Sequence, residues 1–118
     1  MIEISEPLPG SKSGYKTLHD ILKNGRRIGY VDAGYLTAED VKTFRRSKRK
    51  LSVGQPFGVQ VSIDVPKGGV SARDLGKEGL REVVEAVMKK LPGLEERDIY
   101  VIEILPAGRN LIGRASSL

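Results

Sequence analysis

The stretch from residue 80 to residue 91 constrains the fold more than any other part of the sequence. Its apolar residues recur at the spacing of one face of an α-helix, and Pro92-Gly93 ends the pattern. They are Leu80, Val83, Val84, Val87, Met88 and Leu91. Because an apolar face must be buried against another element, the predicted helix, opening at Ser71 and spanning 72–91, requires a sheet or a second helix to cover it.

Two strands are predicted on either side of this helix. Residues 59–65 alternate strictly between apolar and polar side chains, which predicts a strand with one solvated face. Residues 98–105, DIYVIEIL, are apolar on both faces, as in an interior strand. The helix between them is long enough for a right-handed crossover, so we expect the two strands to be parallel.

A further helix is predicted over the segment TAEDVKTFRRSKRK, residues 37–50. Thr37 is placed to cap it, and Asp40 is placed to complete a capping box. Residues 27–32 read as a strand, so the order from residue 27 is β-α-β-α-β. The expected fold is therefore α+β: one small domain with a three- or four-stranded sheet and two main helices packed on one side.

Residues 15–24 fit two structures. Asn24-Gly25 is a strong hairpin signal, which favours strands on both sides of it. Thr17 with Asp20 three residues later instead favours a short capped helix that ends at Gly25, and the poor alternation of residues 16–23 tips the prediction towards the helix. The Pro- and Gly-containing residues 1–14 are expected to form a flexible arm, residues 15–105 the domain, and the Gly-rich residues 106–118 a tail.

Composition bounds the class of protein. A chain of 118 residues with 39% hydrophobic residues is long enough for one core. It contains no cysteine, which excludes disulfides, thiolate catalysis and Cys-based zinc sites. Asn and Gln occur only twice each while 30% of residues are charged, a profile typical of hyperthermophiles. The sequence has no apolar run of membrane-spanning length and no signal-peptide pattern, so we expect a cytoplasmic protein.

The positive charge is concentrated in one segment. The net charge is +5, and positions 42–50 alone hold six cations and no acid. We call these nine residues the basic segment. A helix end favours one or two cations, but six repel one another, and a polyanion relieves that repulsion. The segment therefore favours nucleic acid over a merely solvated helix end.

We thus predict a non-enzymatic, sequence-tolerant protein that binds single-stranded DNA or RNA, through phosphate neutralisation and base stacking. The predicted contacts are Lys42, Arg45, Arg46, Lys48, Arg49 and Lys50, aided by Arg26 and Arg27, with Tyr30 and Tyr35 as stacking rings. No catalytic residue, metal ligand or cofactor is predicted. Against this function, aromatic residues make up only 5% of the chain, and neither an RNA-recognition consensus nor a GXXG loop is present.

Two other functions remain open. The basic segment could dock an acidic protein, with an apolar sheet edge used for self-association into a homo-oligomer. A small enzyme could instead use the strand acids Asp64 and Glu103, which would have to converge in a pocket. His19, the only histidine, is expected to be structural, since it has no obvious partner in the sequence.

Overall fold

The computed structural model of the chain describes residues 1–11, 15–44, 49–64, 72–105 and 108–117. Six strands form one mixed sheet in the order of the sequence. The elements are β1 (Ile2–Ile4), β2 (Lys16–Lys23), β3 (Arg26–Tyr35), α1 (Ala38–Thr43), β4 (Pro56–Asp64), α2 (Ala72–Lys90), β5 (Ile99–Leu105) and β6 (Gly108–Arg114), with short 3₁₀ turns at Glu96–Asp98 and Ala115–Ser117. Only β4 and β5 are parallel; every other neighbouring pair is antiparallel.

The prediction of a three- or four-stranded sheet with two main helices is wrong. The sheet has six strands because residues assigned to the arm and the tail contribute its two edges, β1 and β6. Residues 16–23 add β2, so the hairpin reading of residues 15–24 is correct and the favoured helix is wrong. Only α2 is a long helix, because α1 ends at Thr43 rather than at residue 50.

The hairpin of β2 and β3 turns at the two residues that signalled it. Asn24 and Gly25 both have positive φ, 51° and 81°, as a tight two-residue turn demands. The helix predicted for residues 15–24 is wrong because polar residues, Thr17 and His19, occupy buried positions on β2. Leu18 and Leu22 lie on the opposite face. The apolar residues of β2 therefore do not alternate with the period of two that identifies a strand in a sequence.

The core lies between one face of the sheet and α2. Leu80, Val84, Val87 and Leu91 are buried, as predicted, in the same cluster as Val61, Ile63 and Val101. The parallel crossover through α2 is confirmed by the Val61–Val101 pairing. Gly76 interrupts the helix with φ 71° and ψ 175°, a conformation that only glycine adopts readily. The predicted cap at Ser71 lies outside the described residues.

The short helix α1 begins as predicted and ends early. Thr37 accepts a hydrogen bond from the Asp40 backbone N–H at 3.1 Å, and the Asp40 carboxylate accepts one from the Thr37 N–H at 2.9 Å, which completes the capping box. Phe44 is the C-cap, with φ −93° and ψ 10°. Like charges three and four positions apart destabilise a helix, and the cations of the basic segment are spaced in this way.

Candidate nucleic-acid interface

One face of the sheet carries α2, and we call the opposite face the open face. Its side chains are identified by alternation from the buried residues of each strand. A straight row of them crosses five strands, because each residue is the register partner of the next. The row is Leu18, Asp32, Gln60, Tyr100 and Arg114.

Three aromatic rings of the open face each have an arginine side chain lying against them. The guanidinium carbon lies 5.8 Å from the ring centre for Arg27 and Tyr30, 5.2 Å for Arg49 and Phe57, and 5.4 Å for Arg114 and Tyr100. These distances are within the range of cation–π attraction. The three rings lie on β3, β4 and β5, and the arginine–aromatic pairs occur towards both ends of the face.

Phe57 points to the open face because of an irregularity in β4. Ala33 of β3 pairs with Val59, and Tyr35, two residues later, pairs with Pro56, three residues earlier on β4. Pro56 is buried, and Tyr35 packs against the core. Residues 57 and 58 therefore lie together opposite Gly34 as a bulge. Gly58 has φ 72°, which suits a bulge position. Because of the extra residue, the Phe57 side chain lies on the open face, near the row that contains Tyr100.

Two carboxylates hold Arg27 at one corner of the open face. Its Nε donates to Asp20 Oδ1 at 2.9 Å, and its Nη1 donates to Asp64 Oδ2. Partial burial alone lowers the pKa of Arg27, but the hydrogen bonds to Asp20 and Asp64 outweigh it and raise the pKa. Because two carboxylates hold this guanidinium, it is not available to a phosphate.

The opposite end of the open face is basic because of Lys42 and Lys50, since Arg49 there is itself held by two carboxylates. Arg49 donates to both oxygens of Asp98, and its Nε lies 3.4 Å from Glu95 Oε1. The hydrogen bonds to Asp98 raise the pKa of Arg49. Asp98 immediately precedes β5, so this ion pair fixes the end of the basic segment beside the strand that carries Tyr100. Lys42 and Lys50 are exposed near the same end.

The other predicted contacts are divided between the two ends of the sheet. Arg26 is exposed beside the hairpin turn, at the opposite end of β3 from α1, a separation of about 30 Å for ten residues of strand. Tyr30 lies on the open face, whereas the Tyr35 hydroxyl lies 2.7 Å from Thr17 Oγ1 against the core. Arg45, Arg46 and Lys48 lie outside the described residues.

The strand acids do not converge. Asp64 pairs with Ile104 and the neighbouring Ile63 pairs with Glu103, so alternation puts the two acids on opposite faces. His19 is buried, with Nε2 2.8 Å from Thr17 Oγ1 and Nδ1 2.8 Å from the Ser5 carbonyl oxygen. Within the described part of the chain, no three His, Asp or Glu side chains are grouped to hold a metal ion.

Sequence reasoning missed three residues of this surface: Phe57, Tyr100 and Arg114. Tyr100 was read as part of an interior strand because its neighbours are apolar, yet it is 37% exposed. Phe57 follows a proline and precedes the bulge glycine, a local signal of irregular strand entry. Arg114 lies on β6, and nothing in the Gly-rich residues 106–118 predicts a strand.

The chain matches no protein-family model, no curated protein and no solved structure. Among the described residues, no helix is both long and apolar enough to cross a membrane.

Proposed function

We propose that this protein is a cytoplasmic, non-enzymatic nucleic-acid-binding protein that takes single-stranded DNA or RNA on the basic end of its open face. The observation that carries the proposal is that Phe57 and Tyr100, each with an arginine against its ring, lie at the basic end of one face. Aromatic rings stack on any base, and arginines neutralise phosphates, so together they suit a single strand of varied sequence.

The division of charge across the face favours one half of it. Lys16, Lys42, Lys50 and Arg114 lie at the end where β4 and β5 begin, and Arg114 has no carboxylate partner among the described residues. The Arg27 corner, with its two carboxylates, disfavours phosphate. We therefore place the backbone of the strand along the basic segment and its bases over Phe57 and Tyr100.

Binding should depend steeply on salt. If roughly four cations meet phosphates, log K should fall against log salt with a slope near −3, using about 0.7 per contact for single strands. Fluorescence anisotropy with labelled DNA and RNA decamers, from about 50 to about 500 mM salt, measures this slope. Absence of binding at the low-salt end would refute the proposal.

Charge reversal locates the site. The double variant Lys42→Glu/Lys50→Glu should weaken binding to every sequence alike and flatten the slope, and both side chains are exposed. The matched control is Lys77→Glu/Lys89→Glu on exposed positions of α2, which makes the same change in net charge. Equal losses in the two double variants would show that only the net charge matters.

The stacking of a base on the Tyr100 ring is tested separately. Tyr100→Ala should weaken binding by about 1–3 kcal/mol, the usual contribution of one stacked base. Leu111→Ala is the control, since Leu111 is 66% exposed on the neighbouring strand of the same face. An undiminished affinity in Tyr100→Ala would remove the ring from the site.

A second candidate is the docking of an acidic protein on the basic segment. Phe44, within the segment, and Val53, just after it, favour this candidate, because they are 41% and 65% exposed. Apolar side chains within a cationic surface are typical of protein interfaces. Val53→Ser should leave oligonucleotide affinity unchanged if nucleic acid is the ligand, and binding of a polyglutamate probe instead of oligonucleotides would favour the protein partner.

A further inference from the structure

Asp32 stands out on the open face because nothing in the described structure pairs with it. The other two acids of the central strands there, Asp20 and Asp64, are both held by Arg27. Asp32 is half-buried between its register partners Leu18 and Gln60. A carboxylate in this position repels phosphate, but it accepts hydrogen bonds from the N–H groups of a base.

The row that contains Asp32 has the composition of a nucleotide site. Arg114 offers a cation, Tyr100 a ring, Gln60 an amide and Asp32 a carboxylate, on four adjacent strands. At about 4.8 Å between strands, Asp32 and Arg114 are about 14 Å apart along the row. The Arg114 guanidinium lies against the Tyr100 ring, so the distance that a nucleotide has to bridge to Asp32 is shorter than this span.

A base on Tyr100 would point its edge at Gln60 and Asp32. The contact between Arg114 and Tyr100 is worth only about 0.5–1 kcal/mol at an exposed site, so Arg114 can leave the ring for a phosphate. Gln60 Nε2 donates one hydrogen bond to Ser62 Oγ at 3.3 Å and has a second N–H to offer. The row therefore presents one donor and one strong acceptor to the base.

Guanine fits this pattern better than the other bases. Its N1–H and N2–H₂ are adjacent donors that match the two oxygens of a carboxylate, and its O6 accepts from an amide. Adenine and cytosine place an acceptor nitrogen beside their amino group, and thymine or uracil places its N–H between two carbonyl oxygens. Both arrangements bring an acceptor against Asp32, which costs binding energy.

We infer that this row reads one base of the bound strand and selects guanine, with Asp32 as the residue that determines specificity. The inference rests on the proposed function and refines it: the strand is bound with little sequence preference except at one position. Asp32 acts on the base edge only, so it contributes nothing to phosphate binding.

Thymidine decamers with one variable central residue test the inference by anisotropy. The decamer with dG should bind about tenfold more tightly than those with dT, dA or dC, the order of effect of one bidentate base contact. Deoxyinosine, which lacks the 2-amino group, should fall between. Equal affinity for all the decamers would overturn the inference and leave the proposed function intact, whereas no binding of any decamer would overturn both.

Two variants assign the effect to Asp32. Asp32→Asn should abolish the preference for dG without weakening binding to the all-thymidine decamer, because no phosphate contact is lost and the carboxylate that opposes thymine is removed. Asp64→Asn removes a carboxylate that Arg27 already occupies, so it should keep the preference. Retention of the preference in Asp32→Asn would refute the assignment.

Discussion

Arg49 donates two hydrogen bonds to Asp98, at 2.5 Å to Oδ1 and 2.8 Å to Oδ2, across 49 positions of the sequence. The side chains are 12% and 4% exposed. A bidentate pair so well buried is not an ordinary surface ion pair, because each charge depends on the other for the solvation it has lost.

Removing one partner of this pair should therefore be costly. Arg49→Ala leaves Asp98 buried and unpaired and should lower the free energy of unfolding by about 3–5 kcal/mol, measured by urea denaturation. The double variant Arg49→Ala/Asp98→Ala should recover part of the loss, and Lys50→Ala should change stability by less than about 0.5 kcal/mol. An Arg49→Ala protein as stable as the wild type would contradict the buried pair.

The burial of Arg49 also limits how the basic segment can be tested. Nothing in the sequence distinguishes Arg49 from the other five cations of the basic segment. Arg49→Glu would place a carboxylate against Asp98 and Glu95, so lost binding would reflect unfolding. Charge reversal is informative at Lys42 and Lys50, whose side chains are exposed.

The apolar face of α2 provides a prediction about the core. Leu80 is 8% exposed, so Leu80→Ala should cost about 2–5 kcal/mol through lost burial and the cavity left behind. Leu111→Ala, at a 66% exposed position, should cost less than about 0.5 kcal/mol. Equal urea midpoints for the two variants would show that the helix face is assigned wrongly.

Gly29 should not tolerate any larger residue, because the backbone of β4 lies too close to it. A Cβ at this position of β3 would lie 2.0 Å from the backbone oxygen of Ser62 on β4. Gly29→Ala must push two central strands apart and should cost about 3 kcal/mol or more. At Gly79 the added methyl would meet only the Leu75 side chain, at 3.1 Å, so Gly79→Ala should stay within about 1 kcal/mol. Similar thermal unfolding of the two variants would refute the close strand contact.

Acid should destabilise the protein through its paired carboxylates. The hydrogen bond from Lys90 lowers the pKa of Glu6, those from Thr37 lower the pKa of Asp40, and that from Arg81 lowers the pKa of Glu96. These pKa values are lower in the folded protein than the usual values of 4.5 and 3.8. As the pH falls through this range, the unfolded chain therefore binds more protons than the folded chain does. These groups therefore stabilise the fold above that range, and the contribution is lost as the pH falls through the folded pKa values.

Urea midpoints at pH 7 and at pH 3 should show this loss. Glu96→Gln should reduce the difference between the two midpoints, because its contribution is absent at both pH values. Glu78→Gln is the control, since Glu78 is exposed on α2 and has no ion pair in the described structure. A pH dependence that is the same in Glu96→Gln as in the wild type would contradict the role of the Arg81 pair.

The elements predicted from sequence were those whose signals are local. The apolar spacing of α2, the capping box of Thr37 and Asp40, and the alternation of β4 each depend on neighbouring residues. The crossover that makes β4 and β5 parallel follows from the length of α2 alone. In each case no knowledge of a distant partner is needed.

The missed elements depend on distant partners. The three residues of β1 form a strand because β2 offers them hydrogen bonds, and the Ile2 N–H donates to Glu82 of α2 at 3.1 Å. In β2, Thr17 and His19 are buried because they satisfy one another and Tyr35. The aromatic rings of the open face were missed for a similar reason, since only the pairing of strands places Phe57 and Tyr100 on one surface.

The order of the strands bears on how the chain folds as it is synthesised. Each strand pairs with the strand made just before it, so every strand can dock on a finished edge as it leaves the ribosome. Only the step from β4 to β5 must wait, because α2 has to form and cross the sheet between them. Loop-closure entropy is largest for that step, so it should limit the rate of folding. Until then, β4 is the exposed edge of the sheet, and a bulge such as that at Phe57 and Gly58 disfavours the pairing of an edge with another chain.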